Sequence, residues 1–132
     1  MKYALVDITT LEFSIKALPD LDLEQQIVID FGHQFIFGPE ISFVQLILNF
    51  QFKIDNVNIA KITTGFAFHF EALVEVIIPD ENGLQIVRKD VQRQLYAVGV
   101  GTTRGIFHAK TEGNKGTRLF IPVINPNEQI KD

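Results

Sequence analysis

The sequence contains no cysteine. That absence removes disulfide cross-links, thiolate catalysis and cysteine-ligated zinc together. Serine is nearly absent too: Ser14 and Ser42 are the two in the chain. Both fall in strand-like stretches, not at the sharp strand-to-helix elbow that presents a nucleophile. The three histidines, His33, His69 and His108, share no metal-ligand spacing, whereas a zinc site needs three or four converging ligands. No apolar run approaches the ~20 residues that span a bilayer. Asp7 and Glu12 interrupt any signal-peptide core near the start, so a soluble, cytoplasmic chain is expected. Twelve basic residues against sixteen acidic ones leave a net charge of -4, and the basic residues are scattered. A nucleic-acid partner needs a clustered basic footprint, and none is present in the sequence. The 132 residues are read as one domain, 1–132. A chain of that size buries roughly two thirds of its unfolded surface and folds without staples.

What the sequence does have is phenylalanine, twelve in all, mostly in alternation with other residues. Leu11, Phe13, Ile15 and Ala17 share one parity, and Ala4, Val6 and Ile8 the other, so a bulge near Thr9-Thr10 is expected within the first strand. Ile27, Ile29, Phe31, His33, Phe35 and Phe37 form one face of a second strand, closed by a turn at Gly38-Pro39-Glu40. Val44, Leu46, Leu48, Phe50, Phe52 and Ile54 form the long apolar face of a third. Its reverse face begins apolar at Ile41, Phe43 and Ile47 and turns polar at Asn49, Gln51 and Lys53. Asp55-Asn56 is the next turn. A fourth strand gathers Ile62, Phe66, Phe68, Phe70, Val74 and Val76, with His69, Glu71 and Glu75 opposite. Short connections make neighbouring strands antiparallel.

Pro79-Asp80-Glu81-Asn82-Gly83 ends the sheet, and from about Leu84 the period becomes helical through Val87, Val91, Leu95 and Val98. Gly99, Gly101 and Gly105 each weaken such a helix by up to ~1 kcal/mol relative to Ala, which close packing offsets. The small-residue helix ends in Thr102-Thr103-Arg104-Gly105. A polar loop, Thr111 to Thr117, leads to the apolar run Leu119-Phe120-Ile121-Pro122-Val123-Ile124. The fold class is therefore α+β: a four-stranded antiparallel sheet, a long helix on one face and a short C-terminal helix near Pro126 to Lys131. One helix cannot cover both faces of the sheet, so burial between subunits is expected.

Strand order and the segments Thr103-Arg104-Gly105-Ile106-Phe107 and Ile121-Pro122-Val123-Ile124-Asn125 resemble the SecB family of export chaperones. The resemblance covers nearly the whole chain. It implies ATP-independent binding of unfolded or nascent polypeptide, without cofactor or catalysis, and a tetramer with helices packed between two sheets. The family's acidic tail, which helps contact the translocase motor, has no counterpart here. Contact with the translocase motor is therefore not expected from the resemblance, and the expectation is a chain nearer to the family's shortened members, including those serving toxin-antitoxin systems. The alternative reading is an adaptor that keeps this scaffold and binds one specific partner.

Each candidate residue has a bland reading beside the functional one. Phe107, Leu119, Phe120, Ile121 and Val123 line a client groove or close the protein's own core. Ile41, Phe43, Ile47, Ala97, Gly101 and Gly105 form an oligomer interface. Gly99-Val100-Gly101-Thr102-Thr103-Arg104-Gly105 has a phosphate-loop look, but it follows a helix instead of a strand, which favours helix packing. His69, Glu71 and Glu75 fit a solvated sheet face better than an acid-base cluster. Arg104 fits a carboxylate or phosphate site, but the commoner expectation is that it bonds the last helical carbonyls.

Overall fold

The computed structural model describes residues 2–16, 26–38, 43–112 and 119–132. The alternation in the sequence is realised most fully in β3 (Phe43–Ile54) and β4 (Val57–Phe70), where every second side chain of β3 is buried.

 Asp55 and Asn56 both take positive φ, 50° and 64°, giving the tight turn whose twist suits a two-residue hairpin. β1 (Tyr3–Ile15) pairs with β4, and β2 (Val28–Ile36) pairs with β3, all antiparallel, in the order β1-β4-β3-β2.

The parity conflict in β1 is resolved by two bulges, at Val6 and at Leu11, where one was expected near Thr9-Thr10. The second bulge removes Leu11 from the Phe13 and Ile15 face. Its side chain instead lies over Gly65, where a Cβ would sit 3.4 Å from Leu11 Cδ1. β4 ends at Phe70, earlier than the alternation suggested. A single 3-10 turn, Leu73–Glu75, then leaves Val74 83% exposed while Val76 is buried. A small hairpin follows, β5 (Ile77–Pro79) against β6 (Gln85–Val87), in a stretch read from the sequence as the end of the sheet and the start of the helix. Asp80 closes this hairpin by accepting from the backbone N–H groups of Asn82 and Leu84 at 2.8 and 2.9 Å.

The long helix α1 therefore begins at Lys89 and runs to Thr111, six residues beyond Gly105. Arg88 precedes it and grips Asp90 in the first turn through two bonds of 2.7 and 2.8 Å. Those bonds pull the Asp90 carboxyl down to about 2. The helix crosses the inner face of the sheet obliquely. Tyr96 meets His33 of β2, Gly99 lies on Leu46 and Leu48 of β3, Thr103 bonds Thr64 of β4, and Phe107 stacks on Phe52. Phe107 also touches Phe13 of β1 edge-on. These contacts form one contiguous apolar core between sheet and helix. The short helix α2 (Pro126–Gln129) is capped by Asn125, whose Oδ1 accepts from the Asn127 N–H at 3.0 Å.

The outer face of the sheet is polar at one end and apolar at the other. Lys53 pairs with Asp30 and Lys61 with Glu12, while Phe43, Ile47 and Ala67 occupy the opposite end. Ile41 and the turn at Pro39-Glu40 lie outside the described residues, as does most of the loop expected over Thr111 to Thr117.

Candidate functional site

Beyond α1 the chain returns as a segment, 119–125, without regular secondary structure. Leu119 and Ile121 are buried, while Phe120 is 61% and Val123 88% exposed. Arginine side chains of α1 hold it. Arg104 donates from Nε to the Ile121 carbonyl at 3.0 Å and from Nη2 to the Pro122 carbonyl at 2.9 Å. Three helical turns earlier, Arg93 donates to the Ile130 carbonyl at 2.9 Å and to Asp132 at 2.5 Å. Arg104 thus serves the returning segment, not the helix's own carbonyls as expected. A spacing of eleven residues puts both arginines on one side of the helix, so the segment runs antiparallel beside it.

The five side chains expected to line a groove divide accordingly. Phe107, Leu119 and Ile121 belong to the core and are not available at the surface of the described chain. The physical reason is plain for Phe107, which stacks on Phe52 at 5.0 Å with an interplanar angle of 8°. Phe120 and Val123 point outward, and Phe120 rests against the His108 ring. Sequence reasoning missed another apolar surface. α1 covers mainly the central strands, which leaves inner-face residues of both edge strands open: Leu5 and Ile8 on β1 and Phe31 on β2, with Ile27 just before β2 exposed as well. The signal was present in the alternation, but the width of one helix decides which strands it covers.

The expected interface residues also divide. Ala97, Gly101 and Gly105 lie on the exposed side of α1, and a Cβ added at Gly101 or Gly105 meets nothing within 4 Å. The close approach inside the subunit falls on Gly99, where a Cβ would come within 2.9 Å of both Leu46 and Leu48. Phe43 and Ile47 are half-buried on the outer sheet face.

Charge chemistry is sparse. His33 lies between the Phe35 ring and the Tyr96 ring, and burial, followed by repulsion from Lys89, lowers its pKa. Burial raises that of Tyr96. Among the described residues no group of three or more His, Asp or Glu side chains is placed to hold a metal ion. His69 is exposed at the sheet surface, as a solvated face requires. No helix among the described residues is long and apolar enough to cross a membrane.

No family model matches the chain, and no curated protein matches it. Among solved structures it is similar to the SecB-like chaperone Rv1957 of Mycobacterium tuberculosis, determined in complex with a ChAD peptide from the Rv1956 HigA1 antitoxin. The two superpose with a TM-score of 0.59 over 92% of this chain and 87% of that one, at 13% identity.

The fold is SecB-like. The four-stranded antiparallel sheet, the helix Lys89–Thr111 and the short C-terminal helix are the elements of that architecture. Within the SecB-like fold, exposed apolar side chains include Phe120 and Val123 of the returning segment and Leu5, Ile8, Ile27 and Phe31 beside the flanks of α1.

Proposed function

We propose that this protein holds unfolded or extended polypeptide without nucleotide, cofactor or catalysis. The observation that carries the reading is the apolar surface left open on the SecB-like fold: Phe120 and Val123 on the returning segment, with Phe31 on β2, Ile27 just before it, and Leu5 and Ile8 on β1. Such strips accept side chains of many shapes, and the outer edges of β1 and β2, unpaired with any strand among the described residues, offer main-chain hydrogen bonds that ignore sequence. Phe120 and Val123 are the proposed client contacts. A cytoplasmic homo-oligomer, a dimer or dimer of dimers, belongs to this reading, with Ala97, Gly101, Gly105, Phe43 and Ile47 at its interfaces.

A second reading has a specific motive. The similar solved structure contains one antitoxin peptide, which fits an adaptor dedicated to a single partner. Aggregation assays with several denatured proteins separate the two. Broad suppression at stoichiometric protein supports the holder, and suppression confined to one partner supports the adaptor. Binding should show a negative heat-capacity change, because apolar surface is buried. Phe120→Ser should weaken binding several-fold with an unchanged melting temperature. Phe107→Ser should lower stability by about 3–5 kcal/mol, as large aromatic truncations in cores do. A folded protein that neither delays aggregation nor binds extended peptides would end the holder reading.

A further inference from the structure

The returning segment is attached in an unusual way. Among the described residues, no backbone–backbone hydrogen bond ties residues 119–124 to the sheet or to α1. Its carbonyls are met instead by the Arg104 guanidinium, at Ile121 and Pro122. Its grip on the core comes from two side chains spaced by two, Leu119 and Ile121, with Phe120 between them facing out. This is a backbone outside regular secondary structure, with two apolar side chains spaced by two buried and its carbonyls read by a cation. Nothing in that recognition is particular to this segment. Any extended polypeptide with apolar residues at i and i+2 presents the same features.

We infer that residues 119–124 are a displaceable internal occupant of a client cleft. An extended client places two apolar side chains, two residues apart, where Leu119 and Ile121 sit, and Arg104 donates to the client's backbone carbonyls. The inference rests on the polypeptide-holding reading and deepens it, because it names a site inside the subunit and the pattern the site selects. The second arginine keeps the displaced strap tethered. Arg93 holds Ile130 and Asp132 independently of Arg104, so the segment can leave at one end while the chain's last residues stay beside α1. It also accounts for the fate of the predicted groove residues. Leu119 and Ile121 are buried because they fill the positions a client takes.

The test uses a fluorescein-labelled heptapeptide with the strap's own sequence, Leu119 to Asn125, and the full-length chain. Leu119→Ser with Ile121→Ser weakens the internal occupant and leaves Arg104 and the cleft intact. If the strap is seated nine-tenths of the time or more in the parent, loosening it should tighten peptide binding about tenfold or more. A peptide with serine at the two anchor positions should not bind. Melting curves establish that the variant is folded. If the double variant fails to fold, Ile121→Ala alone takes its place, with a smaller gain in the same direction. Equal affinity in parent and folded variant, or no binding by either, overturns the inference. The holding reading is judged separately, by aggregation suppression in the parent. Suppression without any gain in the variants removes the strap and keeps the holder. A gain in the variants without suppression by the parent removes the holder and keeps an exchangeable strap.

Discussion

Gly99 and Thr103 lie one turn apart on α1, and both fix how the helix sits on the sheet. At Gly99 the missing side chain lets the helix backbone approach Leu46 and Leu48. Gly99→Val should therefore cost about 1–3 kcal/mol by overpacking, measured by denaturant unfolding. Thr103 uses its hydroxyl twice. It donates to the Gly99 carbonyl at 2.7 Å and meets the Thr64 hydroxyl at 2.8 Å, both groups being buried. Since the Thr103 proton goes to Gly99, Thr64 donates to Thr103. Removing each partner thus has a different consequence. Thr64→Val deletes a donor and leaves Thr103 still bonded to Gly99, which should cost about 0.5–1.5 kcal/mol. Thr103→Val strands the buried Thr64 hydroxyl and should cost more, about 1–3 kcal/mol. The double variant, with both hydroxyls gone, should be more stable than Thr103→Val alone. A double-mutant cycle reads this directly.

At the scale of elements, the central strands were the most legible. β3 and β4 are covered on one face by α1 and open on the other, so alternation in sequence maps straight onto burial. β1 was half legible. Its parity conflict announced a bulge, but two bulges can shift parity where one was counted, and only the pairing with β4 fixes them at Val6 and Leu11. The β5–β6 hairpin escaped detection because three-residue strands are too short for periodicity, and Val87 fits a helical phase by coincidence. Of the candidate site, the run Leu119–Ile124 was visible as apolar. Its division into buried and exposed positions was not, because that division depends on Arg104 reaching across from α1. The contact between β2 and α1 carries its own prediction. His33 is held below its ordinary pKa of 6.5, first by burial and then by Lys89, with Tyr96 as the other titratable neighbour on the helix. The folded state therefore favours the neutral imidazole. As the pH falls below 6.5 the unfolded chain takes up the proton first, so stability declines and then levels off below the folded-state value. His33→Gln should remove that part of the pH dependence, and Lys89→Gln should reduce it, as followed by thermal melts between pH 7.5 and 5.

For the whole molecule, the central fact is that two surfaces on opposite sides of the subunit are less polar than solvent favours. α1 turns Ala97, Val98, Gly101 and Gly105 away from the sheet, and the outer sheet face carries Phe43, Ile47 and Leu11 at one end. A helix that covers a sheet on one side usually presents charge on the other. Here the middle of the outward side, between Gln94 and His108, is lined by small residues, so another backbone can come close. Gly101 separates a fold requirement from an assembly requirement, because a side chain added there meets nothing within its own subunit. Gly101→Leu should leave the isolated subunit as stable as the parent, or more stable by up to ~1 kcal/mol through helix propensity. If the α1 faces pack against one another, the same change should cut the oligomer to a smaller species at micromolar concentration. Sedimentation equilibrium on parent and variant decides the matter. A parent that is monomeric throughout, or a Gly101→Leu variant that assembles as the parent does, would remove this helix face from the interface.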